Sequence, residues 1–156
     1  SKRSDFSIAY DDEKLYIACE FVEPETEKMR KASKDQPRDG KNVWQDDCVE
    51  VFIDPGRTNK VYYQFIVANT GVQYDAKTKD AAWDGDWQSA VKIQDGKWLV
   101  ELSIPFKTLG ADAPSHGDVW GLNINRNDRP GRQYSQWTIT RGDSHRVDLF
   151  GNLRFE

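Results

Sequence analysis

The stretch Trp44–Asp54, WQDDCVEVFID, constrains the fold more than any other part of the chain. From Asp47 it alternates: Asp47, Val49, Val51 and Ile53 point to one side of an extended strand, and Cys48, Glu50 and Phe52 to the other. The first row is a plain core face. The second sets a carboxylate between two apolar side chains in mid-strand. Such a group either meets water at a sheet edge or lies at the floor of a groove, held for a polar ligand. Trp44 precedes this strand, just past a polar segment, and is therefore expected on a loop. An aromatic plane beside a carboxylate on a rigid sheet suits a sugar ring. The plane packs on axial C–H groups, and the carboxylate accepts hydroxyl protons.

Similar alternation recurs along the chain. Phe6–Tyr10 and Leu15–Phe21 flank an acidic turn at 11–14 and predict a hairpin, with Leu15, Ile17, Cys19 and Phe21 as its core row. Glu23–Val43 is polar and bracketed by Pro24, Pro37 and Gly40, so it reads as a long connection leading to Trp44. Val61–Ala68 and Val72–Ala76 are strands joined at Asn69-Thr70-Gly71, and Ser89–Gln94 with Lys97–Ile104 forms a hairpin across Asp95-Gly96. Val119–Arg126, Tyr134–Thr140 and Leu149–Phe155 complete the set. In Val119–Arg126, Gly121, Asn123 and Asn125 share one face, a polar and open surface. About ten short strands with almost no helical period predict an all-β fold, an antiparallel, jelly-roll-like β-sandwich.

The 156 residues fit a single domain, 1–156. No apolar run approaches the roughly 20 residues of a membrane span, and a net charge of −4 with interspersed signs disfavours nucleic acid. The first residues lack a signal-peptide apolar core, and the absence of an initial Met suggests a processed protein or a module excised from a larger one. Cys19 and Cys48 read as two buried reduced thiols, with a bridge requiring neighbouring strands. Among the six tryptophans, Trp44, Trp83, Trp87 and Trp137 stand in polar surroundings, which is uncommon without a ligand.

The order LYIACEF, WQDDCVEVFID, YYQFIVAN, DGKWLVELSIPF, WGLNINRND, SQWTI and FGNLRF closely resembles the family 9 carbohydrate-binding modules over nearly the whole chain. The resemblance implies a β-sandwich appended to xylanases and related polysaccharide-degrading enzymes, binding cellulose- or xylan-type chains. Two tryptophans would sandwich a terminal sugar, here Trp44 and Trp137. Glu50, Gln64, Asn123 and Asn125 match the polar residues that bind its hydroxyls. Two departures stand out: Ile66 where the family often has an arginine, and no Asp-Gly and tryptophan segment ahead of the first hairpin. The resemblance also implies an extracellular or cell-surface monomer tethered to a glycoside hydrolase domain. It requires no cofactor and admits structural calcium. Asp11, Asp12, Glu23 and Asp47 are candidate ligands, without a calcium-loop spacing.

Other chemistry finds little support. A glycosidase pair among Asp46, Asp47 and Glu50 would need its carboxyl groups about 5–9.5 Å apart across a scissile bond, and adjacent residues on a strand face opposite ways. His116 and His145 lie in polar loops without a ligand-spaced partner, which argues against zinc or a Ser-His triad. Trp98 and Trp120 fall on core rows, Trp87 is expected to pack, Trp83 is a candidate to extend the site, and Met29 lies in the polar connection. The competing reading is a structural sandwich packed on a neighbouring catalytic domain, with no sugar bound.

Overall fold

The computed structural model describes residues 2–156, all in two antiparallel sheets and their connections. The strands are β1 (Ser4–Tyr10), β2 (Lys14–Val22), β3 (Cys48–Asp54), β4 (Tyr63–Ala68), β5 (Gln73–Lys77), β6 (Gln88–Gln94), β7 (Lys97–Pro105), β8 (Val119–Asp128), β9 (Gln133–Gln136) and β10 (Gly151–Arg154). One sheet has the order β1-β2-β7-β6. The other runs β10-β8-β3-β4-β5, with β9 also paired to β8. The fold is thus the expected β-sandwich of ten strands. The strand expected over Tyr134–Thr140 is confined to β9, because Thr138–Thr140 turn away under hydrogen bonds from the Asn123 and Gln136 side chains.

Alternation produces this layering. Val49, Val51 and Ile53 of β3, Tyr63, Phe65 and Val67 of β4, and Leu122 and Ile124 of β8 face Leu15, Ile17, Cys19 and Phe21 of β2 and Trp98, Val100, Leu102 and Ile104 of β7. Each such side chain withdrawn from water contributes about 1.5–3 kcal/mol. Trp98 and Trp120 are buried as expected, and Trp87 is too. Met29 lies in the connection as expected, and its side chain is buried in this core because its segment folds back over the sandwich. Trp83 packs on Tyr63, centroids 5.1 Å apart, instead of extending an outer site.

Two aspartates at the start of β3 pin the long connection. Buried Asp46 accepts from the Ala32 and Ser33 backbone N–H groups and the Ser33 hydroxyl, and Asp47 accepts from the N–H groups of Arg30 (2.8 Å) and Arg129 (3.0 Å). A polar loop of this length lies over the sheet because these carboxylates satisfy its donors. Cys19 and Cys48 are free: the first sits in the core, the second on the outer side of the six-stranded sheet. Burial raises both thiol pKa values, that of Cys19 to about 12.

Candidate functional site

On β3 the row opposite the core, Cys48, Glu50 and Phe52, is buried as well. Antiparallel pairing sets Tyr74, Ile66, Glu50, Asn125 and Gln136 side by side across β5, β4, β3, β8 and β9. Gln64, Phe52 and Asn123 form the next such line. Two apolar patches flank the polar centre. Val43, Cys48, Ile66 and Ala68 lie at one end, and Phe52, Tyr62, Val147 and Phe150 at the other.

Between them a hollow of about 350 Å³ is lined by Trp44, Glu50, Gln64, Ile66, Tyr74 and His145. Trp44 belongs to the short 3-10 turn Val43–Gln45, entered through Asn42 in the left-handed region (φ 85°), which Asn tolerates better than most residues. Val43 is buried beneath the turn, and the Trp44 carbonyl accepts from Arg129 Nη2 at 2.6 Å. The indole remains 43% exposed and meets Tyr74 edge-on, centroids 5.6 Å apart. Its backbone is fixed while its face stays free.

Glu50 is 7% exposed. Its Oε2 accepts from Gln64 Nε2 (3.2 Å) and its Oε1 from Asn127 Nδ2 (3.3 Å). Burial drives its pKa above the ordinary carboxylate value, opposed by the Gln64 bond and the charge of Arg129. Two long hydrogen bonds leave this carboxylate with acceptor capacity to spare. Asn125 donates to the Tyr134 hydroxyl (2.7 Å), its own Oδ1 is buried without a partner, and Tyr134 in turn meets Ser144 Oγ at 2.9 Å. Burial, then the Glu50 charge, raises the Tyr134 pKa to about 12.

The remaining expected residues are placed differently. Asn123 accepts with Oδ1 from the Ile124 and Thr138 N–H groups and donates to the Thr138 carbonyl, so it braces the 137–140 segment from beneath. Trp137 does not line the Trp44 hollow. It follows β9 in line with the inward row of β8 and meets Phe6 edge-on, centroids 5.4 Å apart, in a separate hollow at the sandwich edge. The structure therefore does not bring the two indoles of the expected sandwich together. Ile66, standing where the family often has an arginine, forms part of the lining.

Tyr74, Asn127, Tyr134 and His145 were missed by sequence reasoning. Only Asn127 carried a signal, as the next outward residue after Asn123 and Asn125. His145 arrives on the 141–146 loop, and its position depends on tertiary packing.

Three buried carboxylates, Glu23, Asp47 and Asp128, bring oxygen atoms within 4.8 Å of one another. Asp128 Oδ2 is buried without a hydrogen-bond partner among the described residues, so this group has the hard oxygen donors that calcium takes. The Lys2 ammonium already lies 2.6 Å from Glu23 Oε2 and 3.1 Å from Asp128 Oδ1. Asp11, also expected as a ligand, instead caps the β1–β2 turn through the Glu13 and Lys14 N–H groups.

A β-sandwich with an exposed indole beside a buried carboxylate has the make-up of a carbohydrate-binding domain. The chain belongs to the carbohydrate family 9 binding domain-like family, whose model matches residues 2–156. It is 30% identical over 154 residues to endo-1,4-beta-xylanase A of Thermotoga neapolitana, covering 94% of this chain and 13% of that protein. Against endo-1,4-beta-xylanase A of Thermoanaerobacterium saccharolyticum it is 26% identical over 153 residues, covering 94% and 12%. It thus spans only a small part of these xylanases, and the matched family is one of binding domains.

Among solved structures it resembles a family 9 carbohydrate-binding module from Caldicellulosiruptor kristjanssonii in complex with glucose. The TM-score is 0.76 at 18% identity, covering 99% of this chain and 77% of that one. A putative carbohydrate-binding protein from Bacteroides uniformis gives 0.75 at 17%, covering 99% and 79%. At these identities the structures establish the shared sandwich.

Proposed function

We propose that the domain binds a sugar of a plant polysaccharide, of cellulose or xylan type, in the Trp44 hollow. The observation that carries this reading is the buried Glu50 carboxylate, with acceptor capacity unspent, beside the free face of Trp44. The ring stacks on the indole, which contributes about 0.5–1.5 kcal/mol. Glu50 accepts hydrogen bonds from the sugar hydroxyls, Gln64 orients that carboxylate, and Asn125 with Tyr134 closes the β8 side. A sugar of the wrong configuration leaves one of these groups unpaired, which is how the site discriminates. Asn123 supports the site without touching ligand, and Trp137 serves only if its segment moves toward Trp44. Glu23, Asp47 and Asp128 would hold calcium where Lys2 yields its place, tying the long connection to the end of β8.

The biological role is attachment without catalysis. Tethered to a glycoside hydrolase domain outside the cell, the module holds the enzyme at its substrate and raises the effective concentration. Tryptophan fluorescence titrated with cellobiose, xylobiose and their alditols, on the native chain and Trp44→Ala, tests this. A saturable change lost in Trp44→Ala supports sugar binding, and its loss with the alditols identifies reducing-end recognition. No response to any of them rejects the reading in favour of a structural sandwich.

A further inference from the structure

His145 is the one titratable side chain of the hollow that neither the sheet nor the resemblance accounts for. The 141–146 loop brings it there from beyond β9, and the ring stands edge-on to Phe52, centroids 5.4 Å apart. Nδ1 lies 2.8 Å from the Tyr62 hydroxyl. Among the described residues Nε2 has no protein partner, and it is not buried away from solvent. One nitrogen is therefore fixed by the protein while the other is left open.

We infer that His145 is a specificity-determining wall of the Trp44 hollow, donating a hydrogen bond from Nε2–H to a hydroxyl or ring oxygen of the bound saccharide. The inference rests on the sugar reading above. A phenol is a stronger donor than an imidazole, and Tyr62 has no other side-chain partner among the described residues, so its O–H points at Nδ1. That bond places the ring proton on Nε2. Burial, ahead of the positive charge of Lys79, lowers the His145 pKa, with Asp143 opposing, which favours the neutral ring. Burial, with the Asp143 charge, raises the Tyr62 pKa and keeps its hydroxyl protonated.

The hollow then contains two complementary groups. Glu50 accepts a hydrogen bond from a ligand hydroxyl, and His145 donates one to a ligand oxygen. A polyol with an oxygen presented toward each group satisfies both, whereas a deoxy analogue leaves one of them empty. This donor comes from outside the polar row of the sheet, so it adds discrimination that the strand residues do not supply.

The test is a fluorescence titration of the native chain, His145→Leu, His145→Gln and Trp44→Ala with glucose, cellobiose and xylobiose. It is paired with nitrogen NMR of the His145 ring. Glutamine keeps an N–H donor where Nε2 stands, and leucine keeps only the packing on Phe52. The expected result is roughly five- to tenfold weaker binding in His145→Leu, the scale of one neutral hydrogen bond, with most affinity restored in His145→Gln. The Nε2–H resonance should shift on adding sugar. If His145→Leu binds like the native chain while Trp44→Ala does not, the His145 inference falls and the sugar reading stands. If the native chain binds none of the three, both fall. An unprotonated Nε2, or one that sugar leaves unmoved, also overturns the inference.

Discussion

The two sheets present outer faces of opposite kinds. In β2 and β7 of the four-stranded sheet, the side chains facing outward, Tyr16, Ala18, Glu101 and Ser103 among them, are open to water to varying degrees. In β3 and β4 of the six-stranded sheet both rows are buried throughout, and the outward one includes Glu50 and Gln64. The same alternating strand thus means two different things. A polar residue facing out of the first sheet is simply hydrated. On the second, Glu50 and Gln64 line the same hollow as Trp44, Tyr74 and His145, while Asn123 spends its amide on the 137–140 segment. Burial of a polar row, more than its composition, singles out the face to which the proposed sugar site is assigned.

That contrast can be broken or sharpened by substitution. The largest effect is expected for Phe52→Ala, which empties the outward patch shared with Tyr62, Val147 and Phe150. It should destabilise the domain by about 3–5 kcal/mol, while Leu99→Ala, outward on half-buried β7, should be far milder. Equal losses in a urea denaturation series would mean the outer cover is not packed as described. Next, Asp46→Ala strands the donors of Ala32 and Ser33 and should remove about 2–4 kcal/mol. Hydrogen exchange should accelerate at residues 30–34 before it does in β3.

A smaller effect, opposite in sign, attends Glu50→Gln. Because the folded carboxyl titrates above its ordinary value, folding takes up a proton between the unfolded and folded pKa values, and stability falls as pH rises through that window. Glutamine removes this penalty. Thermal melting should show a gain of about 2–4 °C at pH 7 that disappears as pH falls to the unfolded carboxyl range, with sugar binding lost throughout. A gain that persists at pH 3 would show that the buried charge is not its origin. The smallest effect is expected for Glu101→Gln on the open face, with melting temperature and sugar titration both unchanged within error.

How much of this was legible in the chain follows from the range of the forces involved. The strands, the Asp95-Gly96 hairpin and the two rows of β3 follow from residues near one another in sequence, and Glu50 was conspicuous because a mid-strand carboxylate between apolar neighbours needs an explanation. Gln64 and Asn125 fall beside it by register. Trp137 was harder. Its motif matches, but its position depends on where β9 ends, and Asn123 fixes that end from another strand. Met29 and His145 lie in polar stretches without local periodicity. Each is placed by carboxylates or aromatic rings distant in sequence, Asp46 and Asp47 for the first and Phe52 with Tyr62 for the second.

The two thiols add a practical consequence. Cys19 lies between the sheets and Cys48 beneath the outer cover, both shielded from reagents in the folded state. Their alkylation rates therefore time two separate openings: separation of the layers for one, and lifting of the cover beside the Trp44 hollow for the other. Peptide mass spectrometry of a single labelling reaction reads both clocks at once, with no label introduced into the chain.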